Sequence, residues 1–310
     1  MPIEWVSYLK KHGINLLISI ARDVLFLLLA FVVLYPLFTK ISAAFMSVED
    51  IHDLSVRYIP KHITLDHVID AWNNLKLSIS YPLTVQFVTL IALLQMISAT
   101  WVGYGLARFK FKLKKPLLLS VILGLVLPPD LLLIPLYTLF RNFRLFGLIP
   151  LLNNGEGISL INTQIPLIVL AVTSTGFRCG LYILIMHQYF RGMPKELEEA
   201  AYIDGADPIK TFFSVILPGA KTMMITIFLF SFVWTWLDND FVPIFMGESN
   251  ILVNLARNLN GLHSGGAADE ITRNLIAYAG ILFLVIPLLF LYLFTQRFFV
   301  QSVERSGLVG

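Results

Sequence analysis

The sequence predicts an all-α membrane protein of six transmembrane helices. Three observations carry this: an apolar composition, six apolar stretches of spanning length, and an uneven distribution of Lys and Arg between alternate loops. Of the 310 residues, 57% are hydrophobic and 14% charged, against about 25% charged in soluble domains, and the mean hydropathy is +0.76. A soluble enzyme is excluded. The formal charge of +3 is too small to point to a nucleic-acid partner. A single cysteine, Cys179, inside an apolar segment, rules out a disulfide within the chain and reads as a buried thiol.

A bilayer needs about 20 residues of helix, and the stretches that meet this run near Val24–Phe45, Tyr81–Ala107, Pro116–Phe140, Ile165–Phe190, Lys221–Phe241 and Leu275–Phe298. The first ends on Ser42-Ala43-Ala44, which resembles a cleavage site, but the segment before it, with Trp5, Lys10, Lys11, Arg22 and Asp23, is long for a signal peptide. It reads as a retained anchor. The chain therefore divides into an N-terminal segment 1–23, a first span with its loop 24–80, a five-span core 81–298 containing a polar loop 191–220, and a tail 299–310. Fourteen Lys and Arg fall before span one, between spans two and three, between four and five, and after six, where Arg108, Lys110, Lys112, Lys114 and Lys115 form the densest group. Eight lie in the longer alternate loops and one, Arg178, inside a span. Basic loops stay on the cytoplasmic side, so both termini and the polar loop are expected there.

That loop has its own signals. Gly192 and Pro194 open a helix, and Lys195 to Ala201 is strong helix-forming sequence with acids towards the positive end of the dipole. Gly205 ends it. Asp207-Pro208 is an N-cap followed by proline at the first helical position, so a second short helix carries Ile209, Phe212, Phe213 and Ile216 until Pro218 closes it. The product is a knuckle on the membrane surface. Leu197, Ala200 and Ala201, at i, i+3 and i+4, predict a narrow face that another protein can approach closely.

At this point the chain resembles the membrane subunits of bacterial ABC importers. Their signature is Glu-Ala-Ala, three residues, Gly, nine residues, Ile, one residue, Leu-Pro, matched here by Glu199-Ala200-Ala201, Gly205 and Leu217-Pro218, with Val215 in the Ile position. Leu133 to Tyr137, Arg191 to Leu197, Trp236 to Phe241 and Gln296 to Val300 are similar to the carbohydrate-uptake branch, the maltose-type second permease subunit, although Trp236-Leu237-Asp238-Asn239-Asp240-Phe241 departs from that branch's usual Trp-Asn-Asp-Phe. The resemblance covers about residues 80 to 310. It implies the type I importer permease fold, with a coupling helix at Glu199, Ala200, Ala201, Asp204, Gly205, Leu217 and Pro218 seated on a partner ATPase. It also implies a companion permease, two ATP-binding subunits that hold ATP and Mg, an extracytoplasmic solute-binding protein, a carbohydrate substrate and a place in the bacterial inner membrane. The tail would reach the ATPase pair. This chain itself binds no cofactor.

Candidate path residues follow from polarity inside the spans. An Arg at a helix centre costs about 2.5–3.5 kcal/mol on insertion scales, so Arg178 needs compensation, and Asp130, at similar depth just after Pro128-Pro129, is the expected partner. Ser174 and Thr175 beside Gly176 either donate hydrogen bonds or pack helices closely. Trp234, Trp236, Asp238, Asn239 and Asp240 offer flat faces and hydrogen-bonding groups for a sugar, with an interfacial anchor as the alternative role for at least one tryptophan. The six histidines, His12, His52, His62, His67, His187 and His263, form no i, i+4 metal pair, and Pro218 to Thr222 lacks the spacing of a phosphate loop. Two other readings are weaker. A secondary transporter would show a second broken segment matching Pro128-Pro129, and an intramembrane enzyme would need a nucleophile and base. A non-sugar solute remains open within the importer reading.

Overall fold

The computed structural model describes residues 2–144, 156–247, 251 and 267–307, with side chains placed within 16–144, 156–247, 251 and 270–296. The expectations at His263 and residues 308–310 lie outside these, as do those that rest on the side chains of Lys10, Lys11 and His12. The described elements are almost wholly helical: α1 Pro2–Ala44, α2 Val48–His52, α3 Asp66–Asn74, α4 Leu77–Arg108, α5 Lys114–Val126, α6 Asp130–Arg141, α7 Ile165–Val172, α8 Cys179–Gly192, α9 Glu196–Ile203, α10 Pro208–Gly219, α11 Lys221–Trp236, α12 Phe241–Met246 and α13 Ala267–Gly307. They form two compact units, Met1–Asn74 with Asn260–Phe283, and Leu75–Leu259 with Leu284–Gly310.

Among the described residues, three helices are long and apolar enough to cross a membrane: Leu16–Ala44, Leu77–Arg108 and Glu270–Gln296. Two bent pairs, Lys114–Val126 with Asp130–Arg141 at 110° and Pro208–Gly219 with Lys221–Trp236 at 72°, bring the number to five when each counts as one span. The predicted third and fourth spans are both broken. The third turns at Leu127–Pro129, where Leu127 is extended (φ −67°, ψ 128°), the conformation a following proline imposes. The fourth stops at Val172 and resumes at Cys179. Between them, hydroxyls compete with the backbone: Thr173 Oγ1 donates to the Val169 carbonyl at 2.7 Å, a bond that draws the chain away from regular helix. Ser174 (φ 54°) and Arg178 (φ 62°) are both left-handed. The fifth ends at Trp236 rather than Phe241, and the sixth extends in both directions beyond its predicted limits.

In the first unit, α1 exposes Leu, Phe and Val around its circumference from Leu16 to Leu34, with Val33 73% exposed, a surface suited to lipid. The segment after it is ordered by polar contacts. Ser47 caps α2 by accepting from the Asp50 amide. Thr64 N–H donates to the Phe45 carbonyl at 3.0 Å. The buried Asp50 carboxylate takes the His62 amide at 2.8 Å and faces its ring Nδ1 at 2.9 Å. Lys61 Nζ holds Asp53 at 2.6 Å. Lys40 Nζ lies 3.6 Å from the Tyr278 ring centroid, and Trp72 meets Phe283 edge-on at 5.8 Å.

The second unit is built on α4, which packs most extensively against α8 and α11, and next against α7. One core joins Ala99, Tyr104 and Leu106 of α4, Cys179, Tyr182, Ile183, Met186 and Phe190 of α8, Phe212 and Ile216 of α10, and Ile227 of α11. A second gathers Phe140 of α6, Leu160, Leu170 of α7, and Phe241 and Phe245 of α12. Polar ties pin the register: Ser98 Oγ donates to the Ala171 carbonyl at 2.7 Å, and Ser231 Oγ to Gln95 Oε1. At Gly103 the helices approach so closely that a Cβ would lie 2.5 Å from Met186 Cβ and 3.0 Å from the His187 amide nitrogen.

Two outcomes are expected. Gly103→Ala forces α4 and α8 apart and destabilises the purified protein by about 1–3 kcal/mol, read as a fall in melting temperature. Gly105→Ala, whose added carbon would meet only Phe109 Cδ2 at 4.0 Å, changes it by less than about 0.5 kcal/mol. The second concerns acid. Burial pushes the Asp50 carboxyl up, but the hydrogen bonds from His62 outweigh this and hold it below its ordinary value, while the Lys61 and Ser55 hydrogen bonds hold Asp53 well below its own. A depressed carboxylate stabilises at pH above the unfolded value, about 3.9, and that contribution is lost as pH falls through the lower folded value. Amides in 45–66 should thus keep their hydrogen-exchange protection at pH 6 and lose it progressively as pH falls below about 4, and Asp53→Asn should show part of the loss already at pH 6.

Candidate functional site

The polar loop forms the predicted knuckle, but its start is corrected: Gly192 closes α8 and Pro194 lies in the link before α9 rather than opening it. Lys195 is the N-cap of α9, and the Asp204, Gly205 and Ala206 amides fold back onto the carbonyls of Ala200, Tyr202 and Ala201 at 2.9–3.0 Å. Gly205 has φ +82°, and a Cβ added there would meet nothing within 4 Å. Its requirement is conformational, not spatial. Asp207 then accepts the Lys210 amide at 2.8 Å, as an N-cap should.

The second helix ends within one residue of Pro218, at Gly219, after a π segment at Phe212–Ile216, and turns by 72° into α11. A proline cannot donate to the carbonyl four residues back and its ring crowds it; the wider turn just before it accommodates both facts. A second expectation is corrected: Leu197, Ala200 and Ala201 do not share an outer face. Ala201 is turned inward and 8% exposed, whereas Leu197 is 45% exposed and Ala200 lies open with it. The exposed apolar side chains of the knuckle are Leu197 and Ile203 of α9 with Ile209 and Phe213 of α10, the Phe213 ring also meeting Trp101 of α4 edge-on at 6.4 Å, beside the exposed Glu199 and Asp204.

What fixes the knuckle to the bundle was not legible beforehand. Arg108, the last residue of α4, has Nε 3.1 Å from Glu198 Oε1, with both side chains nearly buried. That pair is off the line of a hydrogen bond, leaving Nε unsatisfied, so the attraction is Coulombic, while Nη2 donates to the Met193 carbonyl at 2.7 Å. Tyr104 packs on Phe109, Phe190 and Phe212 and points its hydroxyl at Glu198, 3.5 Å away. Tyr189 O–H reaches the Gly219 carbonyl at 2.6 Å. The two halves of the ion pair are ninety residues apart, and only the presence of both an Arg at a helix end and a third acid in the loop hinted at it.

The second candidate region is the break between α7 and α8. A cavity of about 600 Å³ is lined by Thr173 to Arg178 together with residues of α4, α5 and α6 and by Phe241. Ser174, Thr175 and Arg178 are thus brought together. Thr175 Oγ1 lies 2.7 Å from Thr173 Oγ1, and Ser174 Oγ is buried without a partner. Arg178 does not pair with Asp130. Its guanidinium sits 4.0 Å from the Trp234 ring centroid and 4.5 Å from that of Phe177, and among the described residues it has no ion pair. The kink at Pro128-Pro129 leaves Asp130 exposed at the start of α6 instead. Of the span-five candidates, Trp234 and Asp238 line a small adjoining cleft with Gln95, Phe177 and Tyr182. Asp238 Oδ1 accepts the Asp240 and Phe241 amides at 2.9 and 2.8 Å, ordering the entry to α12. Trp236 is fully buried, donates to the Leu284 carbonyl at 3.0 Å and stacks on Phe232, so it is core. Asn239 and Asp240 lie on the surface, away from the cavity lining.

A helical bundle that turns a capped polar knuckle outwards and keeps a cavity at its broken helices has the build of a membrane permease subunit. The chain belongs to the family described as binding-protein-dependent transport system inner membrane component, which it matches over residues 99–305. It is therefore a multi-pass component of an inner membrane, the permease subunit of a binding-protein-dependent importer. It is 28% identical to the Probable ABC transporter permease protein YurM of Bacillus subtilis over 89% of this chain and 84% of that one. With the arabinooligosaccharides transport system permease protein AraQ of Halalkalibacterium halodurans it shares 26% identity over 92% of this chain and 94% of the relative. Its fold is similar to a chain of a bacterial ABC transporter involved in import of the acidic polysaccharide alginate, with a TM-score of 0.71, 19% identity, and coverage of 91% of this chain and 96% of that one. Subunits of this family work with a permease partner, an ATPase and a binding protein.

The Arg108–Glu198 contact should tie knuckle to bundle. Arg108→Gln and Glu198→Gln, each leaving one nearly buried charge unpaired, are expected to cost on the order of 3 kcal/mol, and the double variant clearly less than their sum. Melting temperatures of the purified complexes measure this; strict additivity would show that the pair is not coupled.

Proposed function

We propose that this chain is one of two different permease subunits of an ATP-driven importer of sugars or oligosaccharides. The observation that carries the coupling part is the knuckle: two short helices, the second capped by Asp207 and the turn between them made by a left-handed Gly205, leave Leu197, Ile203, Ile209 and Phe213 exposed and are clamped to α4 through Glu198. Such a surface suits a cleft on a cytoplasmic ATP-binding subunit. Two of those subunits hold ATP and Mg; this chain binds neither. Their closure pushes on α9, and Arg108 passes the displacement into α4, which contacts α7, α8 and α11 around the cavity. Substrate arrives from an extracytoplasmic binding protein and crosses by alternating access. Both termini lie in the cytoplasm on this reading, and α13 carries the tail towards the ATPases. The sugar assignment is supported by a relative named for arabinooligosaccharides and by the Phe177, Phe241 and Thr173–Thr175 lining of the cavity, aromatic faces with hydroxyls that match the two sides of a pyranose ring.

Gly205→Val tests the coupling. A β-branched residue at φ +82° carries a penalty of about 1 kcal/mol or more and re-aims the knuckle. In proteoliposomes holding the complete importer, uptake of labelled oligosaccharide is expected to fall more than ten-fold, while the variant still inserts and copurifies with its companion permease. Normal uptake with substrate-stimulated ATP hydrolysis intact would sink the coupling role.

A further inference from the structure

We infer that the cavity at the α7–α8 break recognises a sugar carrying a carboxylate, with Arg178 as its counter-ion; the inference rests on the sugar-permease reading above. Arg178 is held by ring faces alone, Trp234 on one contact and Phe177 on the other. Cation–π contacts of this kind use the charge, and no described acceptor takes the planar fork of N–H donors. No described carboxylate claims it. Asp238, which lines the adjoining cleft, is engaged by two backbone amides, and Asp130 stands exposed outside the lining. Arg178 is exposed at the cavity rather than sealed in apolar surroundings, so an entering ligand can reach it, and a carboxylate matches the fork with two parallel hydrogen bonds.

The neighbouring groups fit the rest of such a ligand. Ser174 Oγ is buried without a partner on the same loop, and a native buried hydroxyl in that state calls for an explanation. A sugar hydroxyl supplies one. Phe177 and Phe241 lie stacked, 5.3 Å between centroids and 21° between planes, and both line the cavity, giving an apolar platform for the ring. The volume of about 600 Å³ is within the range of roughly 300–1,000 Å³ usual for small-molecule sites. Ser174 and Arg178 both hold the left-handed backbone that side-chain-bearing residues avoid, strain of the kind that gathers at ligand clamps. A neutral sugar would satisfy the hydroxyl and the platform but leave the guanidinium uncompensated.

The test uses the permease–ATPase complex with its companion permease in nanodiscs, and equilibrium dialysis with two labelled probes, digalacturonate and its neutral counterpart galactobiose. Wild type should retain digalacturonate at least ten-fold more tightly, about 1.4 kcal/mol. R178Q should bring it to the galactobiose level by a larger loss for digalacturonate than for galactobiose, and R178K should fall between. S174A should weaken both probes by a similar, smaller factor. Equal or undetectable retention of the two probes by wild type, the outcome if a carboxylate of the companion permease already occupies Arg178, overturns the inference, as does an equal loss of both in R178Q. Uptake in proteoliposomes separates this from the underlying reading. If neutral oligosaccharides are imported equally by wild type and R178Q and acidic ones by neither, only the acidic preference falls. If no sugar of either kind enters, the sugar reading falls with it.

Discussion

The contact at Gly103, where α4 and α8 meet with no room for a methyl group, sets the geometry of the second unit. In hydrocarbon, no hydrophobic force holds helices together, so close packing and a few buried polar ties must do it. Once these two helices touch backbone to side chain, Tyr182, Met186 and Phe190 of α8 are fixed against Ala99, Tyr104 and Leu106 of α4. Gln95 meets Ser231, and Ser98 meets Ala171. The end of α4 is thereby aimed at Glu198. A looser crossing would leave Arg108 pointing at lipid or water.

The same environment explains where the helices break. Irregular backbone at membrane depth survives only where protein or a cavity surrounds it. Both breaks here, at Leu127–Pro129 and Thr173–Arg178, contribute to the lining of one cavity. Hydroxyls that would weaken a helix elsewhere become polar lining there, and Thr173 serves twice, bonding its own helix and facing Thr175.

Rules acting over two or three residues were readable in the chain. Asp207 caps the helix that Pro208 begins, and Gly205 takes the left-handed turn, because each depends on its immediate neighbours. Polarity alone also picked out Ser174, Thr175 and Arg178. The errors arose where the partner is remote. Arg178 finds Trp234 rather than Asp130, since the proline kink carries Asp130 elsewhere. Trp234 and Trp236 look alike two positions apart, yet a helix places them some 200° apart, one towards Arg178 and one into the core. Ala201 looked like part of an outer face because a short helix with small residues on several sides does not declare which of them packs inward.

The π segment at Phe212–Ile216 holds one more residue in its turn than an α-helix would. The five residues of this segment turn about as far as four would in a regular α-helix. Removing one would restore an unbroken helix and leave Asp207, Gly205 and α9 facing Arg108 almost as before. The segment therefore works as slack: it takes up an extra residue locally without passing a rotation on to the knuckle.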